Sequence, residues 1–299
     1  MAKLDIKNHV AVVTGASRGI GKAVSKALVE QGARVVIGDI LDKEGLQTVQ
    51  ELNNSRNEKV AAFIHTDVTL YKDVIALFRF AESVFGGVDI AFLNAGKIND
   101  ADNLFLPLDD DKEAELPNTN FLGIVKSTKV AVLHLAKRGG GVIVNMASTA
   151  GFQSCMQQAH YFATKHAVVG WTRSISSMLK EICNVRVNAV CPSWVDTEMH
   201  KMYANEEGPN PYKILVQNSP CADIATVVRG VMTLIQDTTM NAQTLLTLPG
   251  DVIRIQEPIP PYEESATPEY CAIVDKYHDA TISYYKHQLE QAMERYKQM

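Results

Sequence analysis

The chain has 299 residues, of which 46% are apolar and 21% are charged, and its formal net charge is −5. This composition is that of a globular protein, and the length permits one large α/β domain or two small ones. The negative balance and the absence of Lys/Arg-rich runs argue against nucleic acid and anionic membranes as partners.

No apolar run reaches the roughly 18 residues of a membrane span, and the N-terminal residues lack the apolar segment and cleavage site of a secretory signal. The cysteines are odd in number, widely scattered and without a CxxC pair: Cys155, Cys183, Cys191, Cys221 and Cys271. This distribution is typical of reduced thiols in a cytoplasmic protein, and it predicts neither a disulfide framework nor a metal site.

Short β-branched apolar runs alternate with longer helical patterns along most of the chain. The predicted strands are 10–14, 34–39, 59–66, 88–94, 142–147, 185–191 and 243–248. The predicted helices lie near 19–31, 42–54, 70–85, 112–137, 159–182 and 222–236. Continuously apolar strands require burial on both faces. The alternation therefore predicts an α/β fold with a doubly wound, parallel, seven-stranded Rossmann-type sheet and helices on both faces.

Two segments depart from this alternation. Residues 97–117 form an acidic connector, and residues 257–299 begin with a proline-rich stretch that precludes regular structure. From about Pro268, apolar residues recur at steps of three or four, which predicts an appended helix pair or one broken helix. Such a helical extension could close a cleft on its own subunit or cross to a partner subunit. We divide the chain into a main domain, residues 1–256, and this extension.

A glycine-rich stretch, TGASRGIG at residues 14–21, follows the first predicted strand. Glycines at a strand-to-helix turn let the backbone approach a pyrophosphate, and the helix N-terminus supplies free N–H groups. A tight turn is the alternative interpretation, but the position after the first strand of a β-α-β unit favours dinucleotide binding. The predicted contacts from this loop are Gly15, Ser17, Arg18, Gly19, Ile20 and Gly21.

Asp39 ends the second predicted strand at about the spacing expected of an acid that binds the adenosine ribose hydroxyls, with Ile40 beside it. A carboxylate would repel a 2′-phosphate, so Asp39 favours NAD over NADP. Arg18 argues weakly the other way, because an arginine in the glycine loop could bind that phosphate. A solvated residue at a strand end is the structural alternative for Asp39.

The third and fourth predicted strands also end in candidate cofactor contacts. These are Asp67 and Val68 after one strand and Asn94, Ala95 and Gly96 after the other. An open α/β sheet binds its ligand at this edge. Asp67 could accept a hydrogen bond from the adenine amino group, whereas Asn94 could be only a turn residue.

A predicted helix places Tyr161 and Lys165 four residues apart on one face, downstream of a strand that ends in Ser148. A free tyrosine has a pKa of about 10, and lowering it by ~3 units requires about 4 kcal/mol of preferential phenolate stabilisation. One ammonium group in a desolvated cleft can supply energy of that order. An isolated YxxxK pattern, however, is more often a packed tyrosine and a solvated lysine.

Together these motifs resemble the short-chain dehydrogenase/reductase family over residues 5–250. The resemblance is carried by the glycine stretch, Asp39, Asp67-Val68, NAG (94–96), Asn120 in NTNFLG, Ser148 in VIVNMAS, Tyr161 and Lys165 in YFATK, and VRVNAVCPSWVDT (185–197). Within the family, three segments are similar to those of 15-hydroxyprostaglandin dehydrogenase-like members: YFATKHAVVGWTRS, VRVNAVCPSWVDT and RGVMTLIQDTTMNAQTLLTL. Two positions depart from the family pattern: Leu93 replaces an asparagine and Ser193 replaces a glycine.

The resemblance implies roles for these residues. Tyr161 would be the general acid/base, Ser148 would bind the reacting oxygen, Lys165 would hold the nicotinamide ribose, and Asn120 would anchor a water between Lys165 and solvent. Residues 192–197 would touch the nicotinamide through Pro192, Ser193, Val195 and Thr197. Gln158 and Trp194 would join Ser148 and Tyr161 in binding substrate, with walls from Phe152–Met156 and Trp194–Leu215.

We therefore expect a cytoplasmic, NAD-dependent oxidoreductase that interconverts a secondary alcohol and a ketone on a small apolar substrate of lipid, steroid, terpenoid or polyketide type. The resemblance further implies a homodimer or homotetramer. One alternative is an NADPH-preferring biosynthetic ketoreductase, which Arg18 favours modestly. Another is a non-catalytic dinucleotide sensor on the same fold, against which the complete set of Asn120, Ser148, Tyr161 and Lys165 argues.

Overall fold

The structure is a computed structural model that describes residues 3–56, 58–98, 105, 107–155, 157–204 and 212–299, without the side chains of residues 203 and 204. Its strands are β1 (Val10–Thr14), β2 (Arg34–Asp39), β3 (Ala61–His65), β4 (Ile90–Leu93), β5 (Gly141–Met146), β6 (Val185–Pro192), β7 (Thr244–Leu248) and β8 (Val252–Ile255). They form one sheet in the order β3-β2-β1-β4-β5-β6-β7-β8.

The helices are α1 (Gly19–Glu30), α2 (Asp42–Arg56), α3 (Tyr71–Phe85), α4 (Asp110–Leu116), α5 (Gly123–Arg138), α6 (Ala159–Cys183), α7 (Glu198–Ala204), α8 (Tyr212–Gln217), α9 (Ile224–Gln236) and α10 (Pro268–Lys297). Among the described residues, none of these helices combines the length and apolar character needed to cross a membrane.

The predicted parallel sheet is confirmed, because β1 to β7 all pair in parallel. The sequence prediction of seven strands omitted β8, which pairs antiparallel with β7 at the sheet edge. A tight turn joins the two strands, with Gly250 and Asp251 at φ values of 72° and 64°. β8 has only four, largely exposed residues, so it lacks the buried apolar run that identifies the other strands.

Helices cover both faces of the sheet, as the doubly wound prediction requires. On one face, Leu28 of α1 and Val231 of α9 are buried against Val13 and Ile37 of the strands. The opposite face packs against α3, α5 and α6. Because the strands lie between two helical layers, β1 and β6 are buried at every position.

The predicted helix 112–137 is helical throughout, but it is not one uniform α-helix, because a π-helical segment lies within it. α4 is followed by a π-helical segment, Pro117–Leu122, and then by α5. A π-helical turn holds one more residue than an α-helical turn, which changes the direction of the side chains that follow. The hydrophobic spacing alone does not reveal this insertion. Of the predicted acidic connector, residues 99–104 and 106 lie outside the described residues.

The C-terminal extension contains one continuous helix, α10, so the predicted helix pair or broken helix is wrong. Its C-terminal half packs on its own chain through Leu289 and Tyr296. The Tyr296 hydroxyl lies 2.9 Å from Nε2 of His134 on α5, and Arg79 on α3 donates a 2.9 Å hydrogen bond to the Tyr296 carbonyl. These contacts fix the end of α10 against α3 and α5.

Candidate active site

The glycine loop between β1 and α1 has a backbone conformation in which side chains at Gly15 and Gly21 would clash with neighbouring atoms. Gly15 has a φ of 65°, and a Cβ atom there would lie 2.7 Å from the Cα of Ala95. A Cβ atom at Gly21 would lie 2.5 Å from the carbonyl oxygen of Gly15 and 2.8 Å from the Cα of Ala16. The loop is therefore compact, and its outer side is open to a ligand at the start of α1.

Asn94 supports this loop from behind. Its Nδ2 donates hydrogen bonds to the carbonyl oxygens of Thr14 and Gly15 at 3.0 and 2.8 Å. The main-chain N–H groups of Asn94 and Ala95 both donate to the Thr14 hydroxyl, at 3.0 and 3.1 Å. The end of β4 and the glycine loop are thus joined into one rigid unit.

Asp39 lies at the end of β2 beside the same loop, and it is 8% exposed. One of its oxygens accepts the N–H of Ser17 at 2.9 Å, and the other accepts the N–H of Leu41 at 3.1 Å. The Ser17 hydroxyl in turn donates to the Leu41 carbonyl. The carboxylate is therefore held in one orientation at the cavity edge, and each oxygen retains a lone pair for a further donor.

The segments after β3 and β4 are fixed by further polar contacts. Asp67 accepts the N–H of Thr69 at 2.8 Å, which stabilises the turn into α3. Val68 packs closely against Gly123, where a Cβ atom would lie 2.8 Å from its side chain. The predicted contacts at these strand ends thus have a structural role as well as a position on the cavity wall.

Asn120, in the π-helical segment, is completely buried and binds the main chain of Lys97. Its Oδ1 accepts the Lys97 N–H at 2.8 Å, and its Nδ2 donates to the Lys97 carbonyl at 2.8 Å. A weaker contact, at 3.4 Å, joins Nδ2 to the Thr164 hydroxyl on α6. Asn120 therefore positions the loop after β4 against the helix that carries Tyr161 and Lys165.

Lys165 is 3% exposed, and its Nζ donates a 2.9 Å hydrogen bond to the carbonyl of Met146 at the end of β5. Nζ also lies 5.5 Å from the centre of the Tyr161 ring. Burial lowers the pKa of Lys165 to about 8. The nearby Cys191 thiol is also buried, and burial raises its pKa to about 12. It is therefore a neutral neighbour of Lys165 at physiological pH.

Ser148 lies two residues past β5 and caps a short 3₁₀ turn, Thr149–Gly151. Its Oγ accepts the N–H of Ala150 at 3.1 Å and donates to the carbonyl of Pro192 at 3.2 Å. These two contacts hold the hydroxyl where β5 and β6 end. The isolated-YxxxK alternative, a solvated lysine, is excluded by the burial of Lys165.

Gln158 precedes α6 and is 2% exposed. Its Nε2 is buried and has no hydrogen-bond partner among the described residues. A buried amide without a partner costs free energy, of the order of 1–3 kcal/mol. Because Gln158 also lines the cavity described next, a ligand that accepts a hydrogen bond there would remove this cost.

The chain after β6 forms the remaining wall. Ser193 donates its N–H to the carbonyl of Thr247 at 3.0 Å, and Val195 forms a bridge with Ala222. Thr197 faces the glycine loop, since its Cγ2 lies 3.8 Å from the position of a Cβ atom at Gly19. The segment therefore spans the cavity from Ser148 to the glycine loop.

These elements enclose a cavity of about 920 Å³ at the carboxyl edge of the sheet. It is lined by Gly15, Arg18, Gly19, Ile20, Asp39, Ile40, Asp67, Val68, Asn94, Ala95, Gly96, Ser148, Gln158, Tyr161, Lys165, Pro192, Ser193, Trp194, Val195 and Thr197. Ser17, Gly21 and Asn120 lie behind this wall and support it. The glycine loop at one end and Tyr161 at the other fit an elongated ligand such as a dinucleotide.

Lys97 and Glu115 were not predicted as site residues from the sequence, although they line the same cavity and form an ion pair. Lys97 directly follows the NAG motif, and this adjacency was the available signal. Glu115 lies in α4, where the predicted acidic connector and the predicted helix 112–137 overlap. The ion pair joins α4 to the loop after β4.

Comparison with known proteins identifies the family in which this arrangement of residues occurs. A model of short chain dehydrogenases matches residues 9–208. The chain belongs to this family. Membership makes it an oxidoreductase that uses a nicotinamide dinucleotide, NAD or NADP, and the predicted resemblance is confirmed. The Rossmann-type fold and the shape of the cavity are consistent with that assignment.

Relatives within this family are named for different cofactors and different substrates. Human 15-hydroxyprostaglandin dehydrogenase (NAD(+)) is 30% identical to this chain over 266 residues, covering 85% of this chain and 96% of the relative. The 3-oxoacyl-acyl-carrier-protein reductase FabG of Vibrio cholerae is 33% identical over 206 residues, covering 68% and 80%. A crystal structure of a variant actinorhodin polyketide ketoreductase with NADPH superposes with a TM-score of 0.72 at 29% identity, covering 84% and 98%.

Proposed function

We propose that this short-chain dehydrogenase is an NAD-dependent enzyme that interconverts a secondary alcohol and a ketone on an apolar substrate. The observation that carries the proposal is the buried Lys165 ammonium beside the Tyr161 ring, at the opposite end of one cavity from the glycine loop. Burial of a charged lysine costs free energy, so a lysine as buried as Lys165 indicates a functional role.

When it is bound, the dinucleotide would accept a hydride from the alcohol in oxidation and donate a hydride to the ketone in reduction. In oxidation, the Tyr161 oxygen takes the proton of the substrate hydroxyl, and in reduction it returns this proton. The positive charge of Lys165 stabilises the Tyr161 phenolate in a desolvated site. Ser148 turns its hydroxyl from the Pro192 carbonyl to the reacting oxygen and stabilises the charge that develops there. Lys165 would also bind ribose hydroxyls of the dinucleotide.

Asp39 supports a preference for NAD. Its fixed carboxylate can accept hydrogen bonds from ribose hydroxyls, and it would repel a phosphate in the same position. The exposed Arg18 at the cavity edge favours the second candidate, an NADPH-dependent ketoreductase. The relatives named above do not decide between the two, since one is named for NAD and another was crystallised with NADPH.

Cofactor titration tests this preference. NAD should bind at least tenfold more tightly than NADP, which corresponds to about 1.4 kcal/mol. Asp39→Ala should narrow that difference, whereas Asp42→Ala, on the exposed start of α2, should leave it unchanged. Fluorescence quenching measures both dissociation constants, and an equal or reversed preference in the unmodified protein would refute the NAD proposal.

The substrate end of the cavity supports an apolar substrate with at least one hydrogen-bond acceptor. Trp194, Met199 and Tyr212 line it, and the unpartnered Gln158 amide provides the donor. Of the predicted walls, Met156 and residues 205–211 lie outside the described residues, as does the side chain of Tyr203. Oxidation of a panel of apolar secondary alcohols in the presence of NAD tests the substrate class, and selective oxidation of sugars would contradict it.

We further infer that the active protein is a homodimer or homotetramer. α6 carries apolar residues on more than one side, including the partly buried Trp171 beside the buried Val168 and Ile175. A cytoplasmic location remains a prediction from the cysteines, all five of which are free thiols. The division into residues 1–256 and 257–299 likewise remains a proposal.

A further inference from the structure

An ion pair lies in the cavity wall close to the reacting groups. Lys97 follows Gly96, where a Cβ atom would lie 3.8 Å from Nζ of Lys165. Asn120 binds both the N–H and the carbonyl of Lys97 at 2.8 Å, so the main chain of Lys97 has one fixed position. The Lys97 ammonium group pairs with the Glu115 carboxylate, and both residues line the cavity. The Lys97 side chain therefore extends from a point beside Lys165 to α4.

Helix α4 brings carboxylates to this part of the cavity. A second contact fixes its position, because Oε2 of Glu113 lies 3.0 Å from Nε2 of His160, the residue before Tyr161 on α6. Asp111 and Glu115 are four residues apart, so they share one side of α4, and both line the cavity. The side of α4 that faces a ligand near Tyr161 is therefore acidic.

The balance of charge along this wall is unfavourable to an anion. The side chains of Lys97 and Glu115 are 38% and 40% exposed, so a ligand in the cavity can reach both of them. Their charges cancel, whereas Asp111 on α4 and Glu198 at the start of α7 add negative charge. The exposed Arg18 also lines the cavity, but it lies in the glycine loop at the other end. A carboxylate on the ligand would therefore be repelled from α4.

A neutral polar group on the ligand would meet partners at the same place. A hydroxyl can donate to the Glu115 carboxylate and accept from the Lys97 ammonium group, which leaves the ion pair intact. The buried Nε2 of Gln158, which has no hydrogen-bond partner among the described residues, also indicates that a ligand supplies an acceptor in this cavity. A hydroxyl, ether or carbonyl oxygen is sufficient to accept that hydrogen bond.

We propose that Lys97 and Glu115 select the substrate by charge: the enzyme accepts apolar alcohols whose other polar groups are neutral, and Glu115 excludes those that carry a carboxylate. Glu115 neutralises the Lys97 ammonium group, which would otherwise attract an anion, and Asp111 adds repulsion from the same side of α4. This inference rests on the proposed function, since it defines the substrate class of the same cavity.

Three variants of the full-length chain separate the contributions of the two charges. Glu115→Gln removes the negative charge at nearly constant size and leaves the Lys97 ammonium group for a ligand. The double variant Lys97→Met, Glu115→Gln removes both charges. Glu51→Gln is the matched control, because Glu51 is a half-exposed carboxylate on α2 that pairs with Lys22 outside the cavity. Binding of the dinucleotide shows that each variant is folded.

The first measurement compares secondary alcohols of equal chain length that end in a carboxylate or in its methyl ester. In the unmodified protein, kcat/KM should be at least about tenfold higher for the ester, which corresponds to about 1.4 kcal/mol. Glu115→Gln should raise kcat/KM for the carboxylate at least about tenfold and leave the ester within about twofold. The double variant should lose this gain, and Glu51→Gln should have no effect. Equal use of the two alcohols by the unmodified protein, or no gain in Glu115→Gln, would overturn the proposal.

The second measurement does not depend on turnover. Calorimetry compares the binding of decanol and decanoate at pH 7, where the carboxyl group is ionised, to the protein saturated with the reduced dinucleotide that it binds more tightly. Decanol should bind at least about tenfold more tightly, and Glu115→Gln should narrow the difference. If the protein oxidises no alcohol but shows this preference, the proposed reaction is refuted and the selection by charge is retained. Equal binding of the two probes, or binding of neither, overturns this inference whether or not alcohols are oxidised.

Discussion

Lys165 carries a positive charge although the residue is only 3% exposed. The Met146 carbonyl is its hydrogen-bond acceptor, and burial lowers its pKa from 10.5 to about 8. The charged form is therefore less stable in the folded protein than in the unfolded chain. Burial of this charge therefore lowers the stability of the folded protein. We interpret the lower stability as a consequence of placing a cation next to the Tyr161 ring, which is common at catalytic sites.

The resulting pH dependence has a defined sign. A lysine with a depressed folded-state pKa destabilises the protein fully below pH 8, and the penalty disappears as the pH rises from about 8 to 10.5. Without cofactor, Lys165→Met should raise the free energy of unfolding at pH 7 by about 3 kcal/mol, and the gain should roughly halve by about pH 9.5.

Denaturant unfolding at the two pH values measures this difference. Lys26→Met is the matched control, because Lys26 is a largely exposed lysine with only a surface ion pair. Its effect should be small and independent of pH. A Lys165→Met protein that is less stable than the unmodified protein at pH 7 would show that the charge is better compensated than the Met146 contact indicates.

Several residues could be chosen from the sequence, whereas their contacts could not. Asn94 was selected as a cofactor contact, but its amide is used to hold the carbonyls of the glycine loop. Asn120 was expected to anchor a water, and both ends of its amide bind the Lys97 main chain. The water itself remains a prediction. A motif identifies which residue is needed, and only the packed structure shows which of its atoms are already in use.

Among the elements, the glycine loop is the one at which a small substitution should have the clearest effect on NAD affinity. In Gly21→Ala, the added methyl group would lie 2.5 Å from the Gly15 carbonyl oxygen and 2.7 Å from the Asn94 amide nitrogen, so the backbone must shift. The dissociation constant for NAD should rise at least about tenfold, because the loop and the start of α1 lose their shape. Fluorescence titration with NAD measures this change.

Gly170→Ala is the matched control for this change, since it adds the same methyl group in open space on α6. NAD affinity should be unaffected there. If Gly21→Ala bound NAD as tightly as Gly170→Ala, the close packing of the loop would not be needed for dinucleotide binding, and our account of the loop would be wrong.

Most strands could be predicted from the sequence, whereas two features of the fold could not. Strands β1 to β7 were predictable because each is largely a buried apolar run between two helical layers, although the last three residues of β3 are partly buried or exposed. β8 was missed because an exposed edge strand of four residues has no such pattern. The extra residue of the π-helical segment between α4 and α5 was missed because the helical pattern continues on both sides of it. That same insertion brings Asn120 to Lys97, so the missed feature contributes directly to the site.

In the whole molecule, the cavity and α10 lie at opposite edges of the sheet. The cavity is at the carboxyl ends of the strands, whereas α10 is anchored near the C-terminal ends of α5 and α6, through His134 and Glu181. Helices in a doubly wound fold end where the next strand begins. The extension therefore does not close the substrate cleft of its own chain, which had been one possibility from the sequence.

We propose that one chain combines dinucleotide binding with proton transfer by Tyr161. Tyr161→Phe is the decisive variant for this proposal, because the change removes only the hydroxyl group. With NAD and an alcohol that the unmodified protein oxidises, kcat measured from NADH absorbance should fall by about 10²-fold or more. The dissociation constant for NAD should stay within about twofold, and Tyr262→Phe, on an exposed tyrosine, should leave both values unchanged. A Tyr161→Phe protein that turns over at nearly the unmodified rate would contradict the account.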